Sequence, residues 1–247
     1  MKRLLYSAVF WPFLGLTSAL FFVGALAVFV ATLPFDPNGR IQHLYSSFWA
    51  QFYFYCNPFW TLRIEHRERM PERTGLVVVS NHQSLGDILV LFGLYRPFKW
   101  VAKKSAFRLP FIGWNMRLNR YPSIVRGNPE SAARLMEVCG RWIDRGVPVL
   151  FFPEGTRSPD GAVQRFRDGA FRLAIQKGCP ILPIVITGTA RTLPKHGLLL
   201  DLHADCVVRV LPPVAIAPFG EDIATLREHV RDLIVAEKAR MDAGATS

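Results

Sequence analysis

Apolar residues run almost without interruption from position 4 to position 35, a stretch of 32 residues with no charged side chain. About 20 apolar residues span the hydrocarbon core of a bilayer. A secretory signal core is shorter, about 7–15 residues, so although Met1-Lys2-Arg3 resembles a signal n-region, the pattern predicts a retained membrane helix. Pro12 should kink it and Pro34 should mark its end. After a polar loop at 36–40, the chain is again uncharged from 44 to 60, but nine of these 17 residues are aromatic, and Ser46, Ser47, Gln51 and Asn57 interrupt them. Tyr45, Phe48, Trp49 and Phe52 fall at i, i+3, i+4 and i+7, one face of a helix. Such a helix lies at a membrane interface or belongs to a globular core. Lys2 and Arg3 before the first segment, and Arg63, Arg67, Arg69 and Arg73 after the second, all favour the cytoplasmic side. One span cannot satisfy both sets, whereas a hairpin that returns to the same face can. Protection of a C-terminal tag from protease in sealed inverted vesicles would refute that arrangement.

Beyond position 60 the periodicity changes. Short apolar runs at 61–65, 76–80, 100–102, 147–152, 181–187 and 206–211 predict strands. Helical patterns occupy 85–95, 128–146, 168–177 and a segment from 221 to about 241, after which the small, polar tail should fray. Asn128-Pro129 supplies an N-cap and a proline at the first helical position. Leu135, Met136, Cys139, Trp142 and Ile143 then recur at spacings that define one face, and Gly146 can close the helix. Alternation of strand and helix predicts an α/β fold, a mostly parallel sheet flanked by helices. The chain thus divides into membrane-associated helical segments at 1–60 and a globular domain at 61–247.

Composition sharpens the setting. Half the residues are hydrophobic, 13% are aromatic and the mean hydropathy is +0.18, while the net charge is +11 and the pI about 10.0. A greasy and basic chain suits anionic lipid headgroups or phosphorylated substrates. Its cations are spread along the sequence without a nucleic-acid motif, so no nucleic-acid partner is expected. Cys56, Cys139, Cys179 and Cys206 are isolated from one another, which predicts neither a metal site nor a disulfide framework but reduced thiols.

Two stretches carry candidate chemistry. Asn81-His82-Gln83-Ser84-Leu85-Gly86-Asp87 follows an apolar strand and opens a helix. Helical side chains lean towards the N-terminus, so Asp87 can lean back on His82 and fix its tautomer, which leaves the other imidazole nitrogen as a base. Ser84 to Asp87 also fits a capping box in which Asp87 serves only the helix end, and both readings stay open from this stretch alone. Phe152-Pro153-Glu154-Gly155-Thr156-Arg157-Ser158 likewise follows a strand, at the sheet end where open α/β folds bind ligands. Here Gly155 admits close backbone approach, Arg157 can hold a phosphate bidentately, and Glu154 can accept from a hydroxyl or orient Arg157. A surface turn with a Glu–Arg pair is the alternative. Lys103 and Arg126 could add positive charge. No G-x-S-x-G elbow, zinc motif or phosphate-binding glycine loop is present.

Together these residues resemble the lysophospholipid acyltransferase family of the bacterial 1-acyl-sn-glycerol-3-phosphate acyltransferase type. Asn81 to Asp87 is similar to its N-H-x-x-x-x-D block and Phe152 to Ser158 to its F-P-E-G-T-R-S block, in the family's order. Leu182-Pro183-Ile184-Val185-Ile186 and Phe166-Arg167-Asp168-Gly169-Ala170 resemble two further family stretches. One block departs: Ile124-Val125-Arg126 stands where isoleucine-aspartate-arginine is usual, and Asn119-Arg120 replaces an expected glycine.

The resemblance implies a glycerolipid acyltransferase-like fold and acyl transfer from acyl-CoA or acyl carrier protein to the free hydroxyl of a lysophospholipid, foremost 1-acyl-sn-glycerol 3-phosphate, giving phosphatidic acid. His82 would be the general base and Asp87 its orienting partner. Glu154, Gly155, Thr156 and Arg157 would hold the acceptor, Arg126 and Lys103 would add charge, and Asn81, Ser84 and Pro153 would support the motifs. No metal and no cofactor beyond the acyl donor as co-substrate is expected. The setting it implies is the cytoplasmic face of the inner membrane. Rival expectations are another acceptor (lyso-ornithine lipid, another lysophospholipid, a lipid A precursor), a membrane-bound esterase, or a non-catalytic lipid-binding protein.

Overall fold

In the computed structural model, which describes residues 1–193 and 199–244, the strands are β1 (Trp60–Glu65), β2 (Val77–Ser80), β3 (Lys99–Trp100), β4 (Ala102–Lys103), β5 (Ser123–Ile124), β6 (Val149–Phe151), β7 (Ile181–Thr187) and β8 (Ala204–Val210). The helices are α1 (Lys2–Thr32), α2 (Arg40–Tyr55), α3 (Gly86–Phe92), α4 (Ile112–Leu118), α5 (Pro129–Asp144), α6 (Gly169–Lys177) and α7 (Ile223–Gly244). Six strands form one sheet in the order β1-β8-β7-β2-β6-β3, and β4 pairs with β5 apart from it. Every pairing of named strands is parallel except β7 with β8.

Strands covered on both faces must be apolar throughout, and β2, β6 and β7 are buried along their full lengths. Successive side chains alternate between the faces. Val77 and Val79 belong to the core that holds Leu135 and Trp142 of α5, Phe171 of α6 and Val230 of α7, whereas Val78 belongs to the core that holds Val90 and Leu91 of α3 and Phe54 of α2. Full burial of each such side chain contributes about 1.5–3 kcal/mol. Asn128 caps α5 as expected, its Oδ1 accepting from Ser131 N at 2.7 Å with Pro129 at the first position.

The strand expected at 100–102 is two two-residue bridges, β3 and β4, each with a different partner. Two elements, α4 and β5, have no counterpart in the sequence reading. Helix α1 runs through Pro12 and stops at Thr32, two residues before Pro34. Helix α7 extends to Gly244, past the expected end near 241, and the rest of the tail lies outside the described residues.

The aromatic face of α2 finds its partner in α1. Tyr45, Phe48, Trp49 and Phe52 all surround the Phe21 ring, with centroids 4.9–6.4 Å away. Towards the other end of the pair, Phe13 stacks on Phe52 and meets Tyr53 edge-on, and the Tyr53 hydroxyl meets Thr17 and Ser18. These contacts run in opposite chain directions, as in an antiparallel hairpin. Its outer side is apolar and bare: Leu5, Val9, Leu16, Leu20, Val23 and Val30 of α1 are all exposed.

Candidate functional site

His82 occupies the corner between β2 and α3, and the corner is tied to β7. Asn81 behaves like an extra strand residue: its Nδ2 donates to Ile186 O and its Oδ1 accepts from Ile186 N, both at 2.9 Å. Gln83 Nε2 donates to the same carbonyl at 2.6 Å. The His82 ring lies flat on Phe152, the first residue of the second stretch, with centroids 4.1 Å apart and planes inclined by 20°.

Asp87, in the first turn of α3, is fully buried. Its Oδ2 accepts from His82 Nδ1 and Gln83 N, each at 2.7 Å, and from Ser84 N at 3.0 Å, while Oδ1 accepts from the Thr189 hydroxyl. A buried carboxylate is tolerable only with such a complement of donors. Of the two sequence readings, the contact between Asp87 and His82 is present and the capping box is only half formed. Asp87 reaches back to Ser84 N as in a capping box, and the same oxygen receives the imidazole. Ser84 does not complete the box, because its Oγ accepts from Gly86 N at 3.0 Å and donates to Leu193 O at 2.7 Å. With Nδ1 donating to the carboxylate, Nε2 carries the lone pair, and no hydrogen bond to it exists among the described residues. The side chain as a whole keeps 14% exposure.

The second stretch lies directly beneath the first. Glu154 is buried, and both of its oxygens accept backbone N–H groups: Oε1 from His82 at 2.7 Å and Oε2 from Gln164 at 3.1 Å. Burial raises its pKa against the lowering by those two bonds. Ser158 N donates to His82 O at 2.8 Å, so the backbone of His82 is held on both sides by the second stretch. The carboxylate thus serves as a joint between the stretches, where the sequence reading placed it against the acceptor or beside Arg157.

Positive charge gathers next to this joint. The Arg126 guanidinium is pushed below its ordinary pKa, first by burial and then by the neighbouring charges of Arg167 and Arg157. Gly155 has φ +72°, and a Cβ there would lie 2.7 Å from Arg167 Nε, so only glycine lets that guanidinium close over the turn. Arg126, Arg157 and Arg167 are near enough for their charges to influence one another, and guanidinium groups suit bidentate binding of a phosphate. Thr156 sits half-buried in the same turn behind buried Pro153. Lys103, the exposed residue of β4, is paired in register with Ile124, two residues before Arg126.

Sequence reasoning did not select Arg167 or Thr189. The phenylalanine-basic-x-glycine-alanine stretch contained the signal for Arg167. Thr189 lies 102 positions from Asp87 and left none.

Comparison with known proteins is consistent with this geometry. Residues 61–187 match the family model described as Acyltransferase. A 1-acyl-sn-glycerol-3-phosphate acyltransferase of Chlamydomonas reinhardtii is 38% identical over 211 residues, covering 82% of this chain and 61% of that protein. A chloroplastic enzyme of the same name from Arabidopsis thaliana is 36% identical, with 74% and 51% covered. One from Pseudomonas aeruginosa is 33% identical, with 75% and 72% covered. The chain spans between about half and three fifths of the length of the two plant and algal relatives. The crystal structure of the 1-acyl-sn-glycerophosphate (LPA) acyltransferase of Thermotoga maritima superposes with a TM-score of 0.69 at 24% identity, covering 92% of this chain and 96% of that one, and shares the fold.

Proposed function

The chain belongs to the acyltransferase family, and we propose that it transfers an acyl group from a thioester, acyl-CoA or acyl-acyl carrier protein, to the free hydroxyl of 1-acyl-sn-glycerol 3-phosphate, giving phosphatidic acid. His82 Nε2 takes the hydroxyl proton as the oxygen attacks the thioester carbonyl, and Asp87 steadies the imidazolium that results. Collapse of the tetrahedral intermediate forms the ester and breaks the carbon–sulfur bond, and the departing thiolate takes the proton from His82. The thioester is already activated, so the step as written draws on no metal or redox group. Arg126, Arg157 and Arg167 hold the acceptor's phosphate, with Lys103 at the margin and Gly155 and Thr156 lining the turn. Residues 1–60 hold the protein on the membrane through the bare apolar side of the helical hairpin, and residues 61–247 carry the reaction on the cytoplasmic side.

The observation that supports this reading best is the 2.7 Å bond from His82 Nδ1 to the buried carboxylate of Asp87. The test supplies membranes carrying the protein with labelled acyl-CoA and lysophosphatidic acid. Replacing the base should reduce transfer by about 10²–10⁴. Undiminished transfer by a folded His82→Ala protein would eliminate the mechanism. A panel of lysolipids, lyso-ornithine lipid included, identifies the acceptor. Release of free fatty acid without an acceptor would instead indicate an esterase.

A further inference from the structure

Between Asp87 and Glu130 the chain has eight lysines and arginines and no acidic residue. Some of these cations have evident structural work. Lys99 is buried, Arg96 pairs with Glu72, and Arg120 Nη1 donates to Pro37 O. Lys104, Arg108 and Arg117 do not: they are exposed, and none makes a salt bridge among the described residues. They lie on one short module, a 3-10 turn at Lys104–Arg108 followed by α4.

Large apolar side chains stand among them. Leu109 is 52% exposed, Ile112 40% and Trp114 39%. Scattered surface apolars need no explanation, but these three fall within six consecutive positions at a turn whose backbone is strained. Phe111 has φ +59°, a conformation disfavoured for a bulky residue. The Phe111 ring turns inward onto Phe22 of α1 and onto Trp114, at 6.2 and 5.3 Å, while Leu109 and Ile112 on either side remain outside. Trp114 also contacts Phe22, at 5.3 Å. The module therefore abuts the helix whose outer stripe is bare and apolar, and the two apolar surfaces adjoin at Phe22.

We infer that residues 104–117 form a second membrane-docking surface, separate from the N-terminal hairpin, whose partner is the anionic headgroup layer of a bilayer. Charge complementarity selects that partner. Lys104, Arg108 and Arg117 meet lipid phosphates, Leu109 and Ile112 enter the interface beneath them, and Trp114 takes the interfacial position that indole favours. The surface continues into Lys103, whose strand partner Ile124 lies two residues before Arg126. The inference rests on the lipid-acyltransferase reading for its setting alone, because its test reads lipid contact without turnover.

The full chain carrying Cys56→Ser is labelled with a fluorophore at Ile112→Cys, at Val23→Cys on the outer stripe of α1, or at Glu137→Cys on α5, which covers the opposite face of the sheet. Each protein is placed in vesicles of phosphatidylcholine, with or without phosphatidylglycerol, that contain brominated lipid as quencher. The label at 112 should be quenched, more strongly with phosphatidylglycerol, and the label at 137 should not. Combining Lys104→Glu, Arg108→Glu and Arg117→Glu should weaken docking at 112 by tenfold or more, at roughly fivefold per cation near an anionic surface, while the label at 23 stays quenched. Two results would overturn the proposal: an unquenched label at 112, or quenching indifferent to both the charge reversals and the anionic lipid. A third would do so if the reversals spared quenching but slowed transfer from acyl-acyl carrier protein and not from acyl-CoA, because the surface would then dock an acidic protein.

Discussion

Glu154→Gln separates two roles for the second stretch. The carboxylate accepts His82 N at 2.7 Å through one oxygen and Gln164 N at 3.1 Å through the other. A glutamine keeps the shape but has one acceptor oxygen, so one of the two N–H groups would face an amide NH2. Losing one bond to an ionised acceptor in a buried place removes about 1.5–3 kcal/mol. For a domain of this size that lowers Tm by roughly 5–10 °C. Whichever N–H is abandoned, the joint under His82 loosens, and a misplacement of about 1 Å at a catalytic group can cost about 10²-fold. The expected result is a lower kcat of that order with little change in KM for lysophosphatidic acid, together with the lowered Tm. Steady-state kinetics on detergent-solubilised protein and a thermal melt in the same micelles measure both. A raised KM with unchanged kcat and unchanged Tm would refute the reasoning and return Glu154 to the acceptor.

Thr189→Val removes a hydroxyl that donates to Asp87 Oδ1 and leaves the volume almost unchanged. One oxygen of the buried carboxylate then lacks its side-chain donor, so unfolding curves should show a loss of about 1.5–3 kcal/mol; unchanged stability would show that Thr189 does not hold Asp87. Lys99 is buried against Trp142, and its pKa is lowered to about 7, chiefly by burial and then by the charge of Arg120. Below pH 7 the ammonium is charged in both the folded and unfolded chain, and the burial penalty is fully present. As pH rises from 7 towards about 10.4 the unfolded chain holds more protons, so stability should increase, by up to about 4 kcal/mol from this group. Replacing it, Lys99→Met, should remove that slope in unfolding curves taken across this range, and an identical slope in the variant would refute the assignment.

Much of this molecule is legible along the chain, because its main elements answer to local patterning. Strands β2, β6 and β7 lie between two helical layers, so they must be apolar at every position, and runs such as 76–80 and 181–187 announce themselves. Helix α5 carries its cap, its proline and its apolar face within a single segment. The two blocks of candidate chemistry are contiguous as well, and their resemblance to a family is a property of the sequence. What the sequence could not settle depends on partners far away in the chain. Strands β3, β4 and β5 are only two residues each, too short for periodicity, and exist because β6 or one another supplies the hydrogen bonds. Helix α4 follows Phe111 at positive φ, a conformation that the fold imposes against local preference. The face shared by Tyr45, Phe48, Trp49 and Phe52 was visible, but only packing showed that it closes on Phe21. At the site, the sequence brought His82 and Asp87 within reach and left cap and dyad unresolved. In the fold one carboxylate oxygen receives His82 Nδ1 and the backbone N–H groups of Gln83 and Ser84, while Thr189 comes in from beyond β7 to satisfy the other. It also turned Glu154 towards the backbone of His82, 72 residues away, because a buried carboxylate goes where N–H donors lie, and their positions are fixed only once β2 and β6 pair.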